Sequence, residues 1–217
     1  MLPFTREQFL AVFATYNGSV WPAQIIAYVV GIGIVALLSW RSARSGRFIA
    51  AGLASMWLWT GIAYHGLFFS AINDAALAFA ALFVIEAALL AYFGVVRTDL
   101  RFGPPTDAPG WLGAAFVAYA SIVYPALGLL TGHTYPEMPM FGITPCPVTL
   151  FTFGMLLLTT ARVSAWLLVV PLVWSLIGGS AAFALSIPQD WVLLFSGLVV
   201  VPLIILRDRR RKVRAAA

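Results

Sequence analysis

Long apolar stretches broken by short polar ones run the length of this 217-residue chain. A helix needs about 20 residues to cross the hydrocarbon of a bilayer. On that measure the pattern predicts seven transmembrane helices, near residues 19–40, 48–69, 75–96, 111–131, 147–161, 164–187 and 191–206. Ahead of them, residues 3–17 read as a short amphipathic helix. Thr5 and Gln8 have capping-box spacing, and Phe9, Val12, Phe13 and Tyr16 recur at i, i+3, i+4 and i+7. Too short to span, this helix is expected at the membrane surface, as an anchor or as a cap over an external vestibule. The fold class is therefore an all-α membrane protein, a single polytopic domain (1–217) ending in a basic tail at 207–217.

One break differs from the rest. Between the fourth and fifth spans, residues 131–147 carry four prolines (Pro136, Pro139, Pro145, Pro147), together with His133, Tyr135, Glu137, Met138, Met140 and the only cysteine, Cys146. Each proline removes an amide donor and fixes φ, so the stretch is not a regular helix. Irregular backbone at a membrane boundary is tolerated where protein or a water-filled cavity receives it. This loop is expected to be the lid or wall of a site. The short fifth helix is expected to start below the surface, after the Pro145/Pro147 break.

Composition agrees with this class. Hydrophobic residues make up 62% and charged residues 10%, which suits a polytopic membrane protein. The net charge of +5 is not spread over a surface. Arginines follow the first span (Arg41, Arg44, Arg47), the third (Arg97, Arg101), the fifth (Arg162) and the seventh, and only Arg6 falls on the other side. The positive-inside rule then puts the N-terminus outside and the C-terminus in the cytoplasm. The tail cluster from Arg207 to Arg214 reads as a cytoplasmic anchor, with anionic lipid headgroups as the next reading and no role for nucleic acid. No short apolar run with a cleavage site follows Arg6, so no cleaved leader is expected.

A weak internal repeat is visible. Aligning Trp59 with Trp174 brings Ile62 onto Ile177, Phe68 onto Phe183 and Ile72 onto Ile187, while Asp74 and Asp190 miss by one position. Aligning Pro22 with Pro147 sets Gln24, Ile25 and Tyr28 against Thr149, Leu150 and Phe153. This suggests two parallel triplets of spans joined by the fourth, a 3+1+3 arrangement known among transporters, with the site where the repeats meet. Against it, Pro171 has no counterpart, since Met56 takes its place.

Sorted by depth, the polar residues gather at the outer end, and the candidate binding set is Tyr64, His65, Asn73, Asp74, His133, Tyr135 and Glu86. His65 lies ~7 Å inside the second span at 1.5 Å per residue, where an imidazole is either a functional group or a structural one bonded to a neighbouring helix. Glu86 falls near the bilayer centre, as part of a proton or cation relay or as a hydrogen-bonded carboxyl. Cys146, His133 and Met140 offer soft ligands for a copper-like ion. Otherwise the thiol is simply a small apolar side chain.

Several classes are excluded. The only lysine, Lys212, lies in the tail, so no retinal Schiff base forms in the seventh span; two histidines make no His-x-x-x-His zinc pair; no Gly-rich phosphate loop is present. Gly178-Gly179-Ser180-Ala181-Ala182 reads as close helix packing rather than a nucleophile. The set Phe4-Thr5, Glu7-Gln8-Phe9, Tyr16-Asn17, Trp21-Pro22-Ala23-Gln24, Ala63-Tyr64-His65, Phe68-Phe69-Ser70, Ile72-Asn73, Gly132-His133, Tyr135-Pro136, Pro139, Phe141-Gly142, Pro145-Cys146-Pro147, Thr152-Phe153-Gly154 and Gly178 to Ala182 resembles an uncharacterised bacterial family of multi-pass membrane proteins, defined only as a domain of unknown function. The likeness implies a bacterial inner-membrane location and brings no activity or cofactor.

The leading expectation is transport or permeation of a small solute or ion through an outward-facing site under the 131–147 loop. The alternatives are a soft-metal-binding membrane protein and an intramembrane enzyme using His65 as acid/base. The partners expected are the lipid bilayer and a small solute or ion, with a homo-oligomer left open.

Overall fold

The computed structural model describes residues 3–132 and 134–216, and His133 lies outside them. Among the described residues the chain is helical throughout, with no strand beyond one isolated bridge between Phe102 and Thr159. The helices are α1 (Arg6–Ser19), α2 (Ala23–Leu37), α3 (Ala43–Trp59), α4 (Ala76–Leu90), α5 (Ala108–Ala118), α6 (Tyr124–Leu130), α7 (Pro145–Leu157), α8 (Trp166–Ala184) and α9 (Trp191–Ala216). Three of them pass into wider π-helical turns, at Thr60–Phe68 after α3, Ala91–Val96 after α4 and Tyr119–Val123 between α5 and α6. Four helical stretches are long and apolar enough to cross a membrane: Ala76–Val96, Ala108–Leu130, Trp166–Ala184 and Pro188–Lys212. A fifth crossing is reached only if α1 and α2, bent by 85° at their junction, count as one.

The centre of the molecule is α7. Every residue from Phe141 to Leu158 is buried, so this helix has no solvent or lipid face. Thirteen residues make ~20 Å of helix, less than the hydrocarbon thickness, and both ends stop inside protein. At the start, Pro145 and Pro147 remove two of the four amides that a helix N-terminus leaves unpartnered. At the finish, the buried Arg207 guanidinium takes over, with Nη1 donating to the Leu157 carbonyl at 2.9 Å and Nη2 to Thr159 Oγ1 at 2.8 Å. Asp208, also buried, accepts from Arg207 Nε at 2.9 Å and from the Val163 amide at 2.8 Å. Arg211 reaches the Thr159 and Ala161 carbonyls. A cation at a helix C-terminus also meets the negative end of its dipole. Arg207 and Arg211 therefore belong to the fold, whereas composition alone presents them as part of a basic tail.

Small residues let the neighbours close on α7. A Cβ on Gly154 would stand 2.7 Å from the Gly113 carbonyl oxygen of α5, and one on Gly113 would stand 2.7 Å from the Gly154 oxygen. Across the other flank, Trp57 Nε1 donates to Thr152 Oγ1 at 2.8 Å. The outer surface is inverted relative to a water-soluble bundle: Ile26, Val29 and Ile32 of α2 are 60%, 63% and 68% exposed. The aligned first members of the two triplets thus differ, α2 showing an apolar outer face and α7 none.

Gly154→Ala should cost ~2 kcal/mol, because backbone atoms rather than a flexible side chain must yield. Thermal unfolding in detergent reads this out, with Gly33→Ala, which has open space around it, expected to leave the midpoint unchanged or raise it. Arg207→Met should cost ~3 kcal/mol, because it leaves the α7 carbonyls without their donor and Asp208 with only the Val163 amide and a longer contact to Arg211 at 3.7 Å. The same melts should show no such loss for the exposed Arg210→Met.

Candidate functional site

The loop before α7 descends into the protein. From Met138 the backbone runs inward almost wholly buried, through Gly142, whose φ of +75° and close approach to Ala27 require glycine. Three polar side chains hold it. Asn17 Nδ2 donates to the Pro136 and Met138 carbonyls at 2.7 and 2.8 Å. Tyr16 Oη donates to the Ile143 carbonyl at 2.7 Å, and itself accepts from Trp59 Nε1 at 2.8 Å. Gln24 Nε2 secures the Asn17 carbonyl at 2.9 Å. Asn17 and Tyr16 end α1, so that helix is tied to the loop. Its N-terminus carries the anticipated capping box of Thr5 and Gln8, and its apolar face lies on protein: Phe13 stacks on Tyr64 at 5.3 Å, and Phe4 meets Phe69 edge-on at 5.4 Å. α1 thus covers the loop and these rings as a cap within the protein.

Beneath the cap lies a cavity of about 400 Å³. Phe4, Phe9 and Phe13 of α1 form one wall, Tyr64, Phe69 and Phe79 a second, and Trp174 with Ile177 to Leu185 a third. Pro139, Pro145, Cys146 and Asp190 complete it. Phe4 and Leu185 also border a shallower depression that includes Arg6, Gln8 and Ser186, so the mouth lies between the start of α1 and the α8–α9 turn.

The polar groups of the cavity lie together. Asp190 is 2% exposed, closes the short 3-10 turn Pro188–Asp190 and accepts a hydrogen bond from the Tyr124 hydroxyl. The Cys146 thiol, in the first turn of α7, lies within reach of both Asp190 and Tyr124. The Trp174 indole N–H lies beside that thiol without the geometry of a hydrogen bond and has no other partner. The Tyr64 hydroxyl, 1% exposed, is likewise unpartnered. Buried polar atoms without partners are uncommon, and these two belong to side chains that line the cavity, although the atoms themselves are covered.

Of the residues singled out from sequence, the structure brings Tyr64, Asn73 and Cys146 to the cavity. Asn73 Oδ1 accepts from the Ala75 amide at 3.1 Å, at the start of α4. His65 stands behind the wall. It is fully buried, its ring within 4.9 Å of Trp174 and 4.7 Å of Phe83, and neither nitrogen has a partner. Among the described residues it has no carboxylate, hydroxyl or thiol in hydrogen-bond contact, which is what an acid/base role or a bond to the next helix would use. Asp74 is exposed and Tyr135 is 47% exposed, its hydroxyl donating to the Asn17 carbonyl at 3.4 Å, and neither lines the cavity. Glu86 is fully buried on α4 with both oxygens unpartnered, also away from the cavity wall. Met140 packs in the cluster under α1 rather than on the wall. Among the described residues, no three His, Cys, Asp or Glu side chains group as a metal site.

Sequence reasoning passed over Asp190, Tyr124 and Trp174. The repeat alignment left Asp74 and Asp190 one position apart, and the candidate set took Asp74; the buried one of the two is Asp190. The π-helical turn Thr60–Phe68 brings the consecutive Tyr64 and His65 both inside, and such local widening is frequent at functional sites.

These features define an all-helical protein, several of whose helices are apolar enough to cross a membrane, built around an enclosed central helix and a capped cavity. The chain belongs to a family of unknown function, DUF6064, whose model matches residues 6–215. No curated protein and no solved structure matches it.

Replacing Asn17 by Ala takes the donor from the buried Met138 carbonyl and from the part-buried Pro136 carbonyl and should cost ~2 kcal/mol. The loop it holds should loosen first. Hydrogen exchange of residues 136–144 should rise well before that of α7, whereas equal protection of the loop in mutant and wild type would count against this tether.

Proposed function

We propose that this protein is a seven-span membrane protein that binds a small solute or ion from outside and passes it across the bilayer, with the cavity under α1 as its external site. The seven spans are α2, α3 with its π-helical turns, α4, α5 with α6, α7, α8 and α9; α7 is short because it crosses inside protein rather than in lipid. The cytoplasmic end is assigned by charge. Arg41, Arg44 and Arg47, Arg97 and Arg101, Arg162 and the α9 arginines all fall at the ends of helices opposite the cavity. Exposed tryptophans at helix ends fit the same frame, with Trp40, Trp111 and Trp166 on the arginine side and Trp21 and Trp191 on the other.

The observation that carries this reading is the cavity itself, with a buried carboxyl, a thiol and two unpartnered polar groups at the mouth side of a membrane-type bundle. Intramembrane ionisable groups beside a cavity mark solute or ion pathways more often than structural sites. An inner bacterial membrane fits the charge asymmetry.

Cys146, the only cysteine, is a built-in probe. A membrane-impermeant methanethiosulfonate added to intact spheroplasts should modify it, and the same reagent on inside-out vesicles should react much more slowly. In proteoliposomes, shrink–swell recordings over a panel of small solutes should show flux that the adduct blocks and that Cys146→Ser protects from the reagent. Labelling from the cytoplasmic face alone, or no flux for any solute, would reject the reading.

A further inference from the structure

We propose that the ligand of this cavity is a small organic ammonium cation carrying a second polar group, with Asp190 as its counter-ion; this rests on the outward-facing site described above. Asp190 makes no ion pair with any described residue, and its contacts are the Tyr124 hydroxyl and the Cys146 thiol. A buried carboxylate is stable only when its charge is answered, and a cationic ligand answers it. Arg6 lies near the mouth but is exposed, where water and salt screen it.

The walls select which cation. Seven lining side chains are aromatic: Phe4, Phe9, Phe13, Tyr64, Phe69, Phe79 and Trp174. Ring faces attract ammonium groups, and cages of them with a nearby carboxylate suit alkylated nitrogen in particular. An inorganic cation would fare worse. Sodium-like and divalent ions need several oxygen ligands to replace their water, and this cavity presents one carboxyl, with Asn73, Ser180 and the Tyr64 ring spread over a mainly aromatic and aliphatic lining. An anion meets Asp190 and the ring faces, both repulsive. The volume of about 400 Å³ lies in the range for small-molecule sites.

The second polar group follows from the two orphan atoms. Trp174 Nε1 can only donate, and the Tyr64 hydroxyl has no partner. Both atoms are covered in this structure, so a hydroxyl or carbonyl at the ligand's other end would satisfy them once these lining side chains turn toward it, which makes an amino alcohol the simplest compound of the class. α1 closes over it through Phe9 and Phe13, so binding and capping are coupled.

The test uses Cys146 as reporter in the full-length protein. Choline is the probe, with its uncharged tert-butyl isostere as control. In spheroplasts, choline should slow modification of Cys146 and the isostere should not. The trimethylammonium-ethyl reagent should react at least about tenfold faster than the sulfonatoethyl reagent, after correction for their rates on a free thiol. Asp190→Asn should abolish both the protection and the reagent preference. If that variant does not fold, the reagent preference in wild type and its loss in Phe9→Ala decide. Equal protection by choline and isostere, or equal reagent rates, overturns the ammonium class while leaving an accessible external site. Failure of both reagents to reach Cys146 from outside overturns the site as well.

Discussion

A helix enclosed on every side by protein must find partners for both its ends within the protein, and α7 is such a helix. In an apolar surrounding each unsatisfied amide or carbonyl costs several kcal/mol, so its ends constrain the chain more tightly than its middle. The N-terminal problem is met by subtraction: prolines at 145 and 147 have no amide to satisfy. The C-terminal problem is met by addition, through an arginine more than 40 residues later in the chain that binds its carbonyls. Because α9 must deliver Arg207 to that point, its length and register are fixed by α7. The Gly113–Gly154 contact does the same for α5.

The cavity is a consequence of this arrangement. A central helix that begins below the surface leaves a gap above its first turn. The chain fills part of that gap with the descending loop 138–144 and part with α1, whose tyrosine and asparagine serve as the loop's missing hydrogen-bond partners. The remainder is open space bounded by rings. The polar groups converge there because the first turn of α7 brings Cys146, the end of the α8–α9 turn brings Asp190, and π-helical turns bring Tyr64 and precede Tyr124. A longer fifth helix would occupy the site.

What the sequence made legible follows from the range of each signal. The apolar segments and the Thr5/Gln8 capping box are local patterns, and helices stand where they predicted them. The sunken start of the fifth helix was readable from Pro145 and Pro147 for the same reason. Which polar residue faces inward is not a local property. In a bundle with apolar residues both inside and out, hydrophobic periodicity does not mark the interior face, so Asp74 and Asp190 looked alike and Arg207 looked like any tail arginine. Depth along a span does not say which way a side chain faces: His65 packs against Phe83 and Trp174 beside the cavity and does not line it.

The two buried carboxyls make the same point in energetic terms. Glu86 and Asp190 are equally hidden, 0% and 2% exposed, so burial alone assigns neither a role. Their surroundings differ. Glu86 has no donor on either oxygen and no cavity beside it, whereas Asp190 receives a hydroxyl hydrogen bond and borders open volume walled by aromatic rings. A negative charge is supported where donors orient toward it and a mobile counter-ion can approach. Of the two, only Asp190 offers both, which is why the binding chemistry proposed above is centred on the α8–α9 turn rather than on the middle of α4.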